Sequence, residues 1–88
     1  ERNVAPGLYR SLRYILQQIN AGVHTPGLLI DHQKSELEAK DFKIDYLNVF
    51  TFNTLQPVET LNTENKYVLA GAVWLGTTRL IDNILIEL

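Results

Sequence analysis

No cysteine occurs anywhere in this chain. Its absence excludes a disulfide framework and any thiolate-held metal, and it suits a reducing compartment such as the cytoplasm. Nor is there a run approaching the roughly 18 apolar residues of a membrane-spanning helix, or a secretory leader pattern at the start. Five scattered glycines, Gly7, Gly22, Gly27, Gly71 and Gly76, form no phosphate-cradling loop. With 8 basic against 10 acidic side chains the net charge is −2; nucleic acid is not an expected partner, because its binding needs a basic surface that releases counterions. Arg2, Arg10 and Arg13 gather in the first segment and are read as a solvated helix face. The chain begins at Glu1 and has no methionine, as expected of a processed chain or, preferably, an excised domain.

What is present is enough apolar residue for one core. At 45% hydrophobic and 20% charged the chain is globular rather than disordered. A chain of this length buries roughly 60–65% of its unfolded surface, so its stability is expected to be modest.

Leu8, Leu12, Ile15 and Ile19 recur at helical spacing, with Tyr9 and Leu16 beside them, which predicts a helix over 4–21. Gly22 stands where a left-handed cap belongs. Thr25-Pro26 reads as an N-cap followed by a first-turn proline, opening a second helix over 26–40 whose thin stripe is Leu29, Ile30, Gln33 and Leu37. From Ile44 to Phe52 both parities carry apolar side chains, predicting a strand covered on two sides. The connection 53–65 carries Pro57 and is expected to be pinned by Leu55, Val58 and Leu61. Lys66–Leu75 reads as a second strand. Its small residues Ala70, Gly71 and Ala72 imply close approach, most simply by helix one.

The last ten residues fit a helical stripe or a strand. Their three isoleucines and the short Gly76-Thr77-Thr78 connection favour a strand over 79–88 in a hairpin. The expected fold class is α+β, two N-terminal helices packed on a three-stranded antiparallel sheet.

Few residues suggest chemistry. His24 and His32 are eight apart with no third ligand beside them, and both read as surface histidines. Ser11 and Ser35 lack a nucleophile elbow. Asp41 and Asp45 flank Phe42-Lys43 in what reads as a loop tip. Arg79, Asp82 and Asn83 remain, as a candidate lid or interdomain contact. Their plainer role is internal: Asp82 capping or pairing across the sheet, Arg79 bordering the turn, Asn83 bonding to backbone. Their sharper role sends Arg79 toward a neighbouring domain or an anionic ligand, which its planar fork suits.

Four ordered blocks carry a resemblance. Ala5-Pro6-Gly7-Leu8-Tyr9-Arg10-Ser11-Leu12, Ile44-Asp45-Tyr46-Leu47-Asn48-Val49, Thr54-Leu55-Gln56-Pro57-Val58-Glu59, and Leu69 through Asn83 with its Thr78-Arg79-Leu80-Ile81-Asp82-Asn83 core are similar to the C-terminal domain of pantothenate synthetases (pantoate–β-alanine ligases). The family usually carries an aspartate after its first strand; this chain has Phe50-Thr51-Phe52 there, and no role is transferred to that loop. The resemblance implies that residues 1–88 are the C-terminal lid of a two-domain ligase, with the N-terminal nucleotide-binding domain absent. The full enzyme would join pantoate to β-alanine with ATP and magnesium through a pantoyl adenylate. The paired histidines, lysine and Ser-Arg loop that hold ATP in the family lie upstream of the matched stretch. No catalytic, cofactor or metal residue is therefore carried over, and this polypeptide alone is expected to be inactive and to bind no cofactor. Its partners would be the N-terminal domain and, in the full enzyme, pantoate, β-alanine and ATP, with dimerisation through the missing domain and no nucleic acid or membrane. A domain parted from its neighbour is also expected to expose an apolar patch. The alternative is a free-standing α+β protein-interaction module without catalysis, using helix one or an exposed strand.

Overall fold

The computed structural model describes residues 6–88. The start expected for helix one near residue 4, Arg2 and the beginning of the first matched block lie outside the described residues. The order is α1 (Pro6–Asn20), α2 (Gly27–Ala39), β1 (Lys43–Thr51), β2 (Lys66–Leu75) and β3 (Thr78–Glu87). The strands form one antiparallel sheet in the order β1-β2-β3. The last segment is a strand, paired with β2 from Leu75↔Thr78 to Lys66↔Glu87. Gly76, at φ 62, takes the first place of the two-residue loop, where a type II′ turn requires positive φ.

Both helices end alike. Gly22 (φ 116) and Asp41 (φ 71) take the left-handed position, with Val23 N donating to Gln18 O and Phe42 N to Leu37 O. This is the six-to-one bond of a Schellman ending. The N-terminus of α2 departs from expectation: Pro26 itself is the N-cap, with no side-chain cap bond, so Thr25 does not cap the helix. The first helical bond, Ile30 N to Pro26 O at 2.9 Å, leaves the earlier amides to other partners.

One core lies between the helices and one face of the sheet. α1 contributes Leu8, Leu12, Ile15 and Ile19, and α2 Ile30 and Leu37; they meet Leu47, Val49, Tyr67, Leu69, Val73 and Ile86. α1 lies against β2 and β3, and α2 against β1 and α1. The close approach falls at Gly71, where an added Cβ would stand 3.1 Å from Leu8 Cδ1 and 3.0 Å from Leu47 Cδ1.

Two expectations fail on this one-sided arrangement. β1 is covered on one face only: Leu47 and Val49 are buried, whereas Tyr46 is 36% exposed on the other. An antiparallel sheet with a single helical layer leaves its second face open. In the connection, Leu61 is buried and Val58 packs against the core, but Leu55 is 62% exposed. Backbone bonds hold this segment instead, with Val58 N donating to Val49 O and Leu61 N to His24 O.

Candidate functional site

Strand alternation divides the three residues singled out in the last segment. Arg79, Ile81, Asn83 and Leu85 stand opposite Trp74, Ala72, Ala70 and Val68 on the open face. Asp82 stands opposite Gly71, on the helix-covered face. The three therefore do not form one cluster.

Arg79 is engaged. Its Nε donates to Asp45 Oδ2 at 2.9 Å and its Nη2 to the same oxygen at 2.8 Å. The pair spans the middle strand, joining the two sheet edges near the row Lys43–Trp74–Arg79. A register shift between Ile44 and Tyr46 puts the extra residue at Asp45, so the carboxylate belongs to a strand bulge rather than to the loop tip read from sequence. Bulges re-aim side chains in this way. The two side chains remain 38% and 41% exposed, so the pair contributes about 0.2–1 kcal/mol. Its main effect is orientation: Arg79 is turned inward across the sheet instead of projecting from the hairpin.

Asp82 Oδ1 accepts the Asn83 backbone N–H at 2.8 Å, covering a donor on the edge strand. β1 carries the same device, Val49 N to Asn48 Oδ1 at 2.8 Å. Such contacts blunt a sheet edge against unwanted pairing. Asp82 thus bonds locally to the next backbone amide, Asn83 takes part through its own backbone N–H rather than through its side chain, and the cross-sheet pair belongs to Arg79.

The Asn83 side chain lines an apolar hollow of about 540 Å³ together with Tyr46, Phe50, Leu55, Val68 and Ala70. The Tyr46 and Phe50 rings meet edge to face, with centroids 6.2 Å apart at 81°, a favourable aromatic geometry. Sequence reading missed this face, because the bulge at Asp45 breaks the alternation that separates Ile44 and Leu47 from Tyr46 and Phe50. The signal that remained was the pairing of exposed-parity aromatics with Val68, Ala70, Ala72 and Trp74 on the next strand.

Elsewhere, His32 Nε2 lies 3.9 Å from Glu36 Oε2 on the exposed side of α2, and His24 serves through its backbone carbonyl. Among the described residues no three histidine or carboxylate side chains gather as a magnesium site needs. Of the cations on the open face, Arg79 faces Asp45 and Lys66 lies 3.9 Å from Glu87. No chemical step is assigned to the described residues. Among them no helix is long and apolar enough to cross a membrane.

The family model for pantoate-beta-alanine ligase matches residues 1–85. The chain is 41% identical over all 88 residues to a pantothenate synthetase of Alkalilimnicola ehrlichii and 36% identical over 88 residues to that of Bacillus subtilis. In each case the whole chain covers 30% of the relative. The crystal structure of pantothenate synthetase from Thermus thermophilus superposes on 99% of this chain with a TM-score of 0.73 at 27% identity, using 31% of that structure. The chain thus spans less than a third of the length of the proteins it matches.

Proposed function

The chain belongs to the pantoate–β-alanine ligase family, and from that premise we propose that it is the C-terminal lid domain of an ATP-dependent enzyme that condenses pantoate with β-alanine. The observation that carries this reading is the match of the whole chain to 30% of the length of its relative, combined with the pairing of Arg79 with Asp45 and of Asp82 with the Asn83 backbone amide. In the full enzyme a pantoate carboxylate oxygen attacks the α-phosphorus of ATP and pyrophosphate leaves. The β-alanine amine then attacks the acyl carbon, loses a proton, and expels AMP to give pantothenate. Magnesium would ease the departure of pyrophosphate from a site in the rest of the protein. The domain described here contributes by closing over that site, because an acyl adenylate survives only where water is excluded. Arg79 and Asn83, on the sheet face away from the helices, and Asp82, at the edge of β3, are the candidate lid or interdomain contacts. The full enzyme is proposed to be cytoplasmic and to dimerise through its N-terminal domain.

The test is an exchange of segments. The A. ehrlichii synthetase, with its matching segment replaced by this chain, is expected to form pantothenate from pantoate, β-alanine and ATP, whereas the 88-residue chain alone releases no AMP. A folded chimera without ligase activity, or AMP release dependent on pantoate by the chain alone, contradicts the proposal.

A further inference from the structure

The open face of the sheet has the anatomy of an interface. At one end Lys66 Nζ lies 3.9 Å from Glu87 Oε2, and at the other Arg79 pairs with Asp45. Between these ion pairs two apolar rows, Phe50–Val68–Leu85 and Tyr46–Ala72–Ile81, flank a central row, Asn48–Ala70–Asn83, that carries two carboxamides. Large apolar side chains between charged ends, with a few hydrogen-bonding groups set among them, are the usual composition of a buried contact. The middle strand carries alanines between large side chains on both edge strands, so the face is a trough rather than a dome.

Its apolar groups are left toward water at a cost. Trp74 is 36%, Leu85 43% and Ile81 54% exposed, and among the described residues no element covers them. Leu55 adds to this, at φ 55 and 62% exposed. A left-handed backbone is sterically unfavourable for a leucine. The turn that holds it there is firmly tied: Leu55 N donates to Thr51 O at 3.0 Å, Gln56 N to Thr51 Oγ1 at 3.0 Å, and the Thr51 and Thr54 hydroxyls lie 2.7 Å apart. A strained, well-fixed apolar residue at the rim of an apolar hollow points to something that sits in the hollow.

We propose that this sheet face is an intramolecular docking surface, and that its occupant is an apolar ridge of the remaining polypeptide of the full-length ligase. The proposal rests on the reading of the chain as one domain of a longer enzyme and names the surface by which that domain is held. The relatives are more than three times as long as this chain, since it covers 30% of them, so a large partner is supplied in cis. A second copy fits poorly. A two-fold contact would set trough against trough, and the rims would meet while the alanine floors faced a void.

Hydroxyl-radical footprinting read by mass spectrometry compares the 88-residue chain with the A. ehrlichii chimera that carries it. Modification of Trp74 and Tyr46 is expected to fall at least threefold in the chimera, while Tyr14, 41% exposed on α1, reacts equally in both. Ile81→Glu is expected to leave the melting temperature of the isolated chain within a few degrees and to abolish the protection of Trp74 in the chimera. Equal reactivity of Trp74 in both proteins overturns the proposal. So does protection that moves to Tyr14, or protection that appears in the isolated chain as its concentration rises. Pantothenate formation by the chimera is scored separately: an active chimera with an unprotected face refutes the docking surface alone, and a folded, protected but inactive chimera refutes the enzymatic reading alone.

Discussion

Replacing Gly71 by valine tests how closely α1 lies on the sheet. The first added carbon would stand 3.1 Å from Leu8 Cδ1 and 3.0 Å from Leu47 Cδ1, with the Tyr46 carbonyl oxygen at 3.5 Å. Alanine asks only two leucine tips to give by a few tenths of an ångström. That cost is offset by the roughly 0.4–1 kcal/mol gained when a glycine is removed from the unfolded chain, so Gly71→Ala is expected to be nearly neutral. Valine adds two further methyl groups where Leu8, Leu47 and Val73 are fully buried, and overpacking of this kind costs about 1–3 kcal/mol. A chain of 88 residues has roughly 4–13 kcal/mol in all. Gly71→Val is therefore expected to fold with a melting temperature lower by about 8–16 °C, taking about 2 kcal/mol and 4–8 °C per kcal/mol. Leu8→Ala alone is expected to cost about 2–5 kcal/mol, but in the double variant the valine methyls occupy part of the space it leaves. Urea unfolding followed by far-ultraviolet circular dichroism is expected to show the double variant at least 1 kcal/mol more stable than the sum of the singles. Additivity within about 0.5 kcal/mol, the behaviour of distant sites, refutes the contact.

Three further outcomes follow from the same geometry. Arg79→Ala and Asp45→Ala, in a double-mutant cycle on the chain, are expected to couple by about 0.2–1 kcal/mol, shrinking in high salt; coupling above 2 kcal/mol contradicts the exposed placement of the pair. Asp41→Gly relieves a left-handed aspartate at φ 71 and is expected to stabilise the chain by about 0.5–1 kcal/mol in thermal melts, whereas Gly22→Ala, at φ 116, costs about 1 kcal/mol. Tyr67→Phe removes the buried hydroxyl that accepts Asn62 N–H at 3.0 Å; a loss of about 1 kcal/mol in urea titration is expected, and no loss means that water replaces the bond.

The helices, their thin or broad stripes and the hairpin were legible because each depends on local spacing. Leu8, Leu12, Ile15 and Ile19 mark α1 without reference to anything distant, and Gly76 marks the turn that brings β3 back along β2. Pro26 misled because a Thr-Pro pair has the composition of a cap, while the actual boundary is set by which carbonyl the Ile30 amide reaches. The bulge at Asp45 was invisible for another reason: it is a register fact, defined only against β2, and it alone turns an apparent loop aspartate into the partner of Arg79. The one-sided sheet was also hidden, since Tyr46, Phe50 and Trp74 look like core residues whether the layer that covers them is part of this chain or not. What the sequence displayed as a candidate ligand-seeking arginine is, in the fold, one end of a rim around an apolar trough.

The central claim is that this domain shelters chemistry carried out by residues elsewhere in the ligase. The ratio of AMP released to pantothenate formed tests it most directly, because an adenylate exposed to water returns pantoate and AMP without product. In the chimera carrying this chain the ratio is expected to stay near one, and Ile81→Glu is expected to raise it severalfold while pantoate-dependent pyrophosphate release continues. A ratio that stays at one in the variant and in an enzyme shortened by the whole segment, with pantothenate formed at the same rate, contradicts the claim.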